Sequence, residues 1–209
     1  MKQSEVNMLY DPKNIPIQPT EEAIKFDFYS YLPVPASATP AEYNFFGYAL
    51  GGTVTGTSTR ATRLWTNMTK ANEIPAPYRF LLKEFALDVS PAVATIKNGN
   101  FIDDKYNILE NGYFGLEVGS KSYQEGRVKY LPEMSRYQGA TALATTATTT
   151  TIQRDVWALV GRTYEVSPAM LLPYGINFRF TVKYDTAPTV SATVMFGVIM
   201  RGILVRPAQ

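Results

Sequence analysis

The segment from Ile176 to Arg206 constrains the fold most, because its apolar residues recur at every second position. Between residues 176 and 185 one parity is polar. The other parity carries Ile176, Phe178, Phe180, Val182 and Tyr184. A period of two is typical of a β-strand with one buried face. After a turn at residues 186–189 a second run continues the pattern through Ala192, Val194, Phe196, Val198, Met200 and Leu204. Together the two runs predict a long β-hairpin.

The second strand of this pair differs from the first on its other face. Its opposite parity begins polar at Ser191 and Thr193 and then becomes apolar, with Met195, Ile199, Ile203 and Val205. A strand that is apolar on both parities is buried on both sides. We therefore expect this second face to be covered by earlier segments of the chain or by another subunit.

Composition excludes several function classes. The 209 residues fit one large domain, and they include neither cysteine nor histidine. This rules out disulfides, thiolate or histidine catalysis, and metal sites built on sulfur or imidazole. A net charge of +2 without charged blocks gives no electrostatic footprint for nucleic acid. Charged residues make up 18%, below the usual share of about 25%, which suggests that partners cover part of the surface.

The N-terminal stretch and the remaining chain are expected to behave differently. Residues 1–20 contain Pro12, Pro16 and Pro19, which favour an extended arm able to reach a neighbouring molecule. Residues 1–12 lack the apolar core of a secretory signal, so we expect synthesis in the cytoplasm. The apolar run from Val194 to Met200 falls far short of the roughly 20 residues that span a membrane. The predicted organisation is an arm at 1–20 and a single domain at 21–209.

Further strands are predicted along the chain. Residues 23–32 alternate and end before Pro33, and residues 152–160 and 163–172 also have strand character. Residues 36–72 are rich in Gly and Thr and surround an aromatic cluster, which favours edge strands and turns. The nearly pure Thr/Ala segment from Thr141 to Thr151 predicts a surface loop. Short strands with regular turn signals predict an all-β sandwich or barrel.

Two segments allow both a helix and a strand. Residues 78–89 fit a helical stripe or a strand whose parity flips at Lys83 and Glu84, as a β-bulge would cause, and the neighbouring β-character favours the strand. Residues 101–110 fit a helix with Asp103 and Asp104 in its first turn and Gly112 just past its end. The alternative is a hairpin with its turn at Asn111-Gly112, joining residues 106–110 to 113–118.

Acidic residues suggest two kinds of site, each with a simpler explanation. Asp103 and Asp104, near Asn98 and Asn100, offer oxygen ligands for Ca²⁺, but their spacing does not match an EF-hand loop and suits an exposed turn or a first helical turn. Glu110 and Glu117 are candidates for a glycosidase pair only because they flank the Asn-Gly turn. Solvated surface roles account for both glutamates, so we predict no catalytic, cofactor or metal site.

Aromatic and basic residues give two binding hypotheses. Trp65 and Trp157, in a chain with 14 tyrosines, suggest a sugar-stacking platform, although aromatic residues in β-proteins more often form core and interfaces. Arg60, Arg63 and Lys70 suggest a local anion or nucleic-acid contact, or simply the charges that protect a sheet edge.

The C-terminal forty residues carry a resemblance to a known group. The turn Leu172-Pro173-Tyr174-Gly175, the alternating strand 176–184, and the final strand through Met200-Arg201-Gly202-Ile203-Leu204 to Pro207 resemble the end of jelly-roll coat proteins of icosahedral tailless bacteriophages. Upstream the resemblance is compositional: a proline-rich arm, Thr/Gly-rich loops and many tyrosines.

This resemblance implies a single eight-stranded jelly-roll β-sandwich with an extended N-terminal arm and long Thr/Gly-rich loops. It also implies a non-enzymatic capsid subunit, or a minor capsid or vertex component, that assembles with copies of itself and with other virion proteins and resides in the virion. The alternative from another class is a carbohydrate-binding β-sandwich, a receptor-binding or lectin-like module.

Overall fold

The computed structural model describes residues 17–36, 39–91, 101–133, 135–146, 149–160 and 162–208, with backbone only for residues 135–160. These residues form ten strands, one α-helix and a short 3-10 helix at Val128–Tyr130. The strands are β1 Glu21–Val34, β2 Glu42–Phe45, β3 Arg79–Pro91, β4 Gly112–Val118, β5 Lys121–Arg127, β6 Ser135–Thr146, β7 Thr149–Val160, β8 Tyr164–Leu172, β9 Phe178–Tyr184 and β10 Val194–Pro207, and the helix, α1, is Phe101–Glu110. Among the described residues no helix is long and apolar enough to cross a membrane.

Eight of the strands build two four-stranded sheets. Sheet A has the order β1-β10-β3-β8, and sheet B has the order β2-β9-β4-β5. Every pairing within them is antiparallel. The predicted all-β sandwich is therefore confirmed, as are the strands at 23–32, 152–160 and 163–172 and the edge strand near the aromatic cluster, which is β2. Of the predicted N-terminal arm, residues 1–16 lie outside the described part of the chain.

The predicted long hairpin is wrong, because its two strands belong to different sheets. β9 pairs with β2 and β4, whereas β10 pairs with β1 and β3. The connection from residue 185 to 193 crosses between the layers. Both strands present one apolar parity to the same core. The alternating sequence pattern is therefore the same whether two strands pair within one sheet or face each other across the core.

The surface loop predicted at Thr141–Thr151 is also wrong over the described residues. Residues 141–146 belong to β6 and 149–151 belong to β7, and the two strands form a separate antiparallel ribbon. The low complexity of the segment argued for a loop. Threonine is nevertheless β-branched and favours strands, and here that local preference prevails.

The ambiguous segment at 78–89 is a strand, and the bulge expected at Lys83 and Glu84 is present. The pairing of β3 with β8 shifts between Leu82 and Glu84, and the pairing with β10 shifts between Arg201 and Gly202. Phe80 and Leu82 are buried on one side of the bulge, and Phe85, Leu87 and Val89 on the other. The extra residue lets both parities point their large side chains into the core.

The segment at 101–110 is a helix, so the alternative hairpin across Asn111-Gly112 is wrong, although residues 113–118 do form a strand. The acidic residues Asp103 and Asp104 occupy the first turn, as expected from the helix dipole. Asp104 is 4% exposed, and its carboxylate accepts hydrogen bonds from the backbone N–H and the hydroxyl of Ser191, both at 2.7 Å. The helix is thereby tied to the loop that leads into β10.

The core between the sheets is rich in phenylalanine, with Phe180 of β9 at its centre. Its ring lies 5.7 Å from that of Phe85 in sheet A, 5.7 Å from that of Phe114 and 6.1 Å from that of Phe45. Phe45 in turn reaches across to Phe196 of β10 at 5.1 Å. The Phe114–Phe180 rings are stacked and the other three pairs are edge-to-face. Such pairs contribute about 0.5–1.5 kcal/mol each beyond the burial of their area.

Gly202 is predicted to be irreplaceable because it faces the backbone of β3 at the bulge. A Cβ at this position would lie 2.0 Å from the carbonyl oxygen of Leu81, which cannot move aside without breaking the strand pairing. We expect Gly202→Ala to lower the free energy of unfolding by about 1–3 kcal/mol or more, measured by urea denaturation. The control Gly115→Ala meets only the hydroxyl of Thr181 at 3.4 Å and should be nearly neutral. Equal effects of the two substitutions would contradict this account.

Two buried tyrosines should respond differently to loss of their hydroxyls. The hydroxyl of Tyr184 donates to the carbonyl of Ile108 at 2.7 Å, whereas that of Tyr43 has no hydrogen-bond partner among the described residues. At neutral pH we expect Tyr184→Phe to cost about 1 kcal/mol and Tyr43→Phe to be neutral or stabilising.

Alkaline pH gives a second measurement on the same pair. Burial raises the pKa of Tyr43 and the pKa of Tyr184 above the ordinary value of about 10. The unfolded chain then loses these protons first, so stability is constant below about pH 10 and falls above it. Each Phe variant should reduce that fall by about 1.4 kcal/mol per pH unit. An unchanged slope in both variants would show that these phenols do not cause it.

Candidate interaction surface

The outward faces of the two sheets differ in the side chains that they carry. On sheet B the outward charges pair across strands: Glu117 with Arg179 at 2.6 Å and Glu42 with Lys183 at 3.6 Å. The hydroxyl of Tyr113 donates to Glu125 at 2.7 Å. Hydrogen bonds from Ser122 and Tyr113 lower the pKa of the Glu125 carboxyl. This face thus carries paired charges beside the exposed rings of Tyr113 and Tyr123.

The outward face of sheet A carries the second apolar parity of β10. Met195, Ile199 and Ile203 are half-buried, whereas Val205 is buried. In the strand register Ile199 lies between Tyr29 of β1 and Ala86 of β3. The described residues therefore cover this parity only in part.

Where the chain does cover β10, a tyrosine lies over a glycine. A Cβ on Gly197 would lie 2.3 Å from a ring carbon of Tyr31, so the ring occupies the space above the glycine. The hydroxyl of Tyr31 continues across to β3 and donates to Asp88 at 2.9 Å. Burial, and then the charge of Asp88, raise the pKa of Tyr31. One side chain thus bridges three strands on the outside of the sheet.

Further along β10, Arg201 bridges the same three strands through ion pairs. The guanidinium of Arg201 pairs with Asp27 of β1 at 3.1 Å and approaches Glu84 of β3 at 4.0 Å. The hydrogen bond to Asp27 is the main reason that the pKa of Arg201 is raised. Glu84 also accepts a hydrogen bond from the hydroxyl of Thr163 at 2.7 Å. The charged side chains at the centre of this face are therefore held in place by these hydrogen bonds and ion pairs.

A shallow groove opens beside this ionic bridge, where the bulge of β3 faces Gly202. Its volume is about 360 Å³, and it is lined by Ala23, Lys25, Lys83, Glu84, Arg201 and Ile203, among others. Lys25 and Lys83 form no ion pair within the described part of the chain. With Ile199 and Met195 further along the strand, the groove completes a surface that we call the β10 stripe, defined by Met195, Ile199, Ile203 and the groove.

The candidate acidic sites of the sequence do not assemble. Asp104 is held by Ser191 and Asp103 is exposed, and the described residues contain no cluster of three or more acidic side chains suited to a metal ion. Glu110 pairs with Lys129 at 2.8 Å and Glu117 with Arg179 at 2.6 Å. Glu110 lies just before β4 and Glu117 near its far end. Gly112 and Glu117 are five positions apart along the strand, or roughly 17 Å, whereas the two carboxyls of a glycosidase lie within about 9.5 Å of each other.

Among the aromatic and basic candidates, Trp65, Arg60 and Lys70 are likewise engaged elsewhere. Trp65 is half-buried against the core, and the side chain of Trp157 lies outside the described residues. Arg60 donates to the carbonyl of Gly51 at 3.4 Å, and Lys70 pairs with Glu73 at 2.6 Å. Arg63 remains exposed beside Leu64, which is 84% exposed.

Sequence reasoning found the β10 stripe but missed the groups that partly cover it. Tyr31 and Asp27 lie on the polar parity of β1, and they meet β10 only because β1 pairs with it across the whole length of both strands. Gly197, between Met195 and Ile199 on this parity, was an available signal. A glycine inside a strand marks a place where another group approaches closely.

The chain matches no protein-family model, no curated protein sequence and no solved structure at a significant level.

The bridge formed by Tyr31 can be tested by separating its ring from its hydroxyl. Tyr31→Phe keeps the ring over Gly197 and loses the bond to Asp88, so we expect a loss of about 1 kcal/mol in the free energy of unfolding. Tyr31→Ala also uncovers the glycine and should cost about 3 kcal/mol. Urea denaturation of both variants measures the difference. If the two costs are equal, the ring does not stabilise β10.

Proposed function

We propose that this protein is a virion structural protein, a capsid subunit with a jelly-roll fold that assembles with copies of itself. The observation that carries the proposal is the strand order. Counting only the sandwich strands along the chain, sheet A holds the first, eighth, third and sixth, and sheet B holds the second, seventh, fourth and fifth. Eight antiparallel strands in two sheets, with every connection between successive strands except that from the fourth to the fifth crossing between the sheets, are the arrangement expected of a jelly roll, a fold used in viral capsids and in lectins.

The two uses of the fold differ in what the surface must offer. A lectin needs a concave site with an exposed aromatic ring and several convergent polar groups. Trp65, the candidate ring whose side chain is described, is half-buried against the core, and the candidate carboxylates are engaged in ion pairs with lysine or arginine. The sugar-binding alternative therefore gains no support from these residues.

A capsid subunit instead needs apolar surface that a neighbouring copy covers. The β10 stripe supplies such a surface on sheet A, while the paired charges of sheet B suit a face in water. Half-buried apolar side chains on an outward sheet face are surface that a neighbouring copy could cover. We therefore assign the β10 stripe as a contact between copies.

Assembly of the purified chain tests the proposal directly. Sedimentation velocity and electron microscopy should detect shells or regular oligomers as concentration rises. A chain that stays monomeric at all concentrations and salts, and that binds glycans tightly, would overturn the proposal in favour of the lectin-like alternative.

The contact itself is tested by placing a charge in the β10 stripe. Ile199→Lys puts an ammonium group between Tyr29 and Ala86, and we expect the assembled fraction to fall at least tenfold because a neighbouring copy would have to bury that charge. The matched control is Tyr113→Lys, an outward position on sheet B that is 45% exposed. It should assemble like the parent. Thermal unfolding of both variants checks that each is folded, and equal loss of assembly in the two would contradict the assignment.

A further inference from the structure

The β6–β7 ribbon differs from the rest of the fold because it joins neither sheet. Its strands pair only with each other among the described strands, in unbroken register from Ser135 opposite Val160 to Thr146 opposite Thr149. Twelve residues at about 3.4 Å each give a ribbon of roughly 40 Å. A two-stranded ribbon is marginally stable in water unless something further covers it.

Each of the four edges of the sandwich has a recognised protection against pairing with another chain. β2 is only four residues long, and β8 contains Pro168. β5 has a bulge opposite Leu116 and Glu117 and carries Lys121, Glu125 and Arg127. Short strands, proline, bulges and charge all discourage strand addition.

The fourth edge, that of β1, is covered by the chain itself. The backbone N–H of Tyr31 donates to the carbonyl of Trp65 at 2.8 Å, and that of Tyr29 donates to the side chain of Asn67 at 3.0 Å. Asn67 and Thr66 return hydrogen bonds to the carbonyls of Asp27 and Tyr29. The backbone polar groups that Asp27, Tyr29 and Tyr31 contribute to these bonds are therefore already occupied.

The β6–β7 ribbon has none of these protections over most of its length. Between Arg136 and Arg154 the sequence contains no charged residue and no proline, and the pairing of the two strands shows no bulge. The segment is rich in threonine, a good strand former, and both outer edges of the ribbon lie outside any described sheet. Uncharged, regular edges of this kind are templates for strand addition.

We propose that the β6–β7 ribbon pairs edge to edge with the same ribbon of a second copy of this chain, so that the subunits share a continuous antiparallel sheet. A two-fold contact places identical edges against each other, which is favourable here because no like charges are brought together between residues 137 and 153. The assignment of a second copy as the partner rests on the proposed capsid function. Backbone hydrogen bonds along the shared edge then stabilise a ribbon that is only marginally stable while its outer edges are unpaired.

Because the chain has no cysteine, single cysteines report the contact directly. A scan of residues 141–146 and 149–153, one cysteine at a time, is oxidised in the full-length protein and scored for covalent dimers. Residues near a two-fold axis face their own copies within disulfide range, so we expect a sharp maximum on one strand, at least tenfold above the control Ser120→Cys in the exposed β4–β5 turn. A flat profile at the control level would overturn the proposal.

A shortened ribbon separates this proposal from the proposed function. Replacing residues 139–156 by an Asn-Gly turn keeps the base of the ribbon and should leave the thermal unfolding of the sandwich within a few degrees of the parent while abolishing assembly by sedimentation. Full assembly of the shortened chain would overturn the ribbon contact and leave the capsid proposal standing. If the parent chain shows the cysteine maximum but never forms shells, the ribbon contact stands and the capsid proposal is overturned.

Discussion

The aromatic contacts between the two sheets are the interaction on which the rest of the fold depends. Phe180 of sheet B touches Phe85 of sheet A, and Phe45 of sheet B touches Phe196 of sheet A, so each layer is held against the other by rings that no single sheet could bury. Because most successive strands lie in different layers, each sheet combines segments that are distant along the chain. The helix α1 and the loop that carries Ser191 then close the sandwich where Asp104 and the hydroxyl of Tyr184 find buried partners.

The bulge in β3 connects the core to the outer surface. One extra residue near Lys83 lets Phe80 and Leu82 on one side, and Phe85 and Leu87 on the other, all face inward. The same irregularity brings the carbonyl of Leu81 so close to β10 that only glycine fits at position 202. It also opens the groove beside Arg201, at the point where that side chain joins Asp27 to Glu84. A single local distortion thus shapes both the packing and the candidate contact surface.

Sequence patterns predicted what each strand buries better than which strand it pairs with. The predicted buried parity of β9 and β10 was correct, and so was the predicted bulge at Lys83. Burial of one face of a strand produces an alternating sequence pattern that can be recognised directly. The pairing of β9 and β10 with each other was wrong, because alternation is the same for neighbours in one sheet and for strands that face each other across a core. The helix at 101–110 stayed ambiguous for a local reason: Asn111-Gly112 serves equally as a helix end and as a hairpin turn. The groups that cover part of the β10 stripe could not be predicted, because Tyr31 and Gly197 are far apart in the chain.

The contrast among sheet edges is what the proposed assembly requires of a chain that must not aggregate. A subunit present in many copies must block accidental strand addition wherever its sheets end, and it must leave open only the contacts that lead to a closed assembly. In the sandwich the blocking devices differ from edge to edge: shortness in β2, proline in β8, charge and a bulge in β5, and a covering segment on β1. That all four are present makes the ribbon of β6 and β7, which is uncharged between residues 137 and 153, stand out as a different kind of surface. A protected sandwich with one unprotected ribbon would limit strand addition to a defined place, and the proposed contact at the β10 stripe differs from it in chemistry. The two proposed contacts together would fix the relative orientation of neighbouring copies, which a single contact would leave free to rotate.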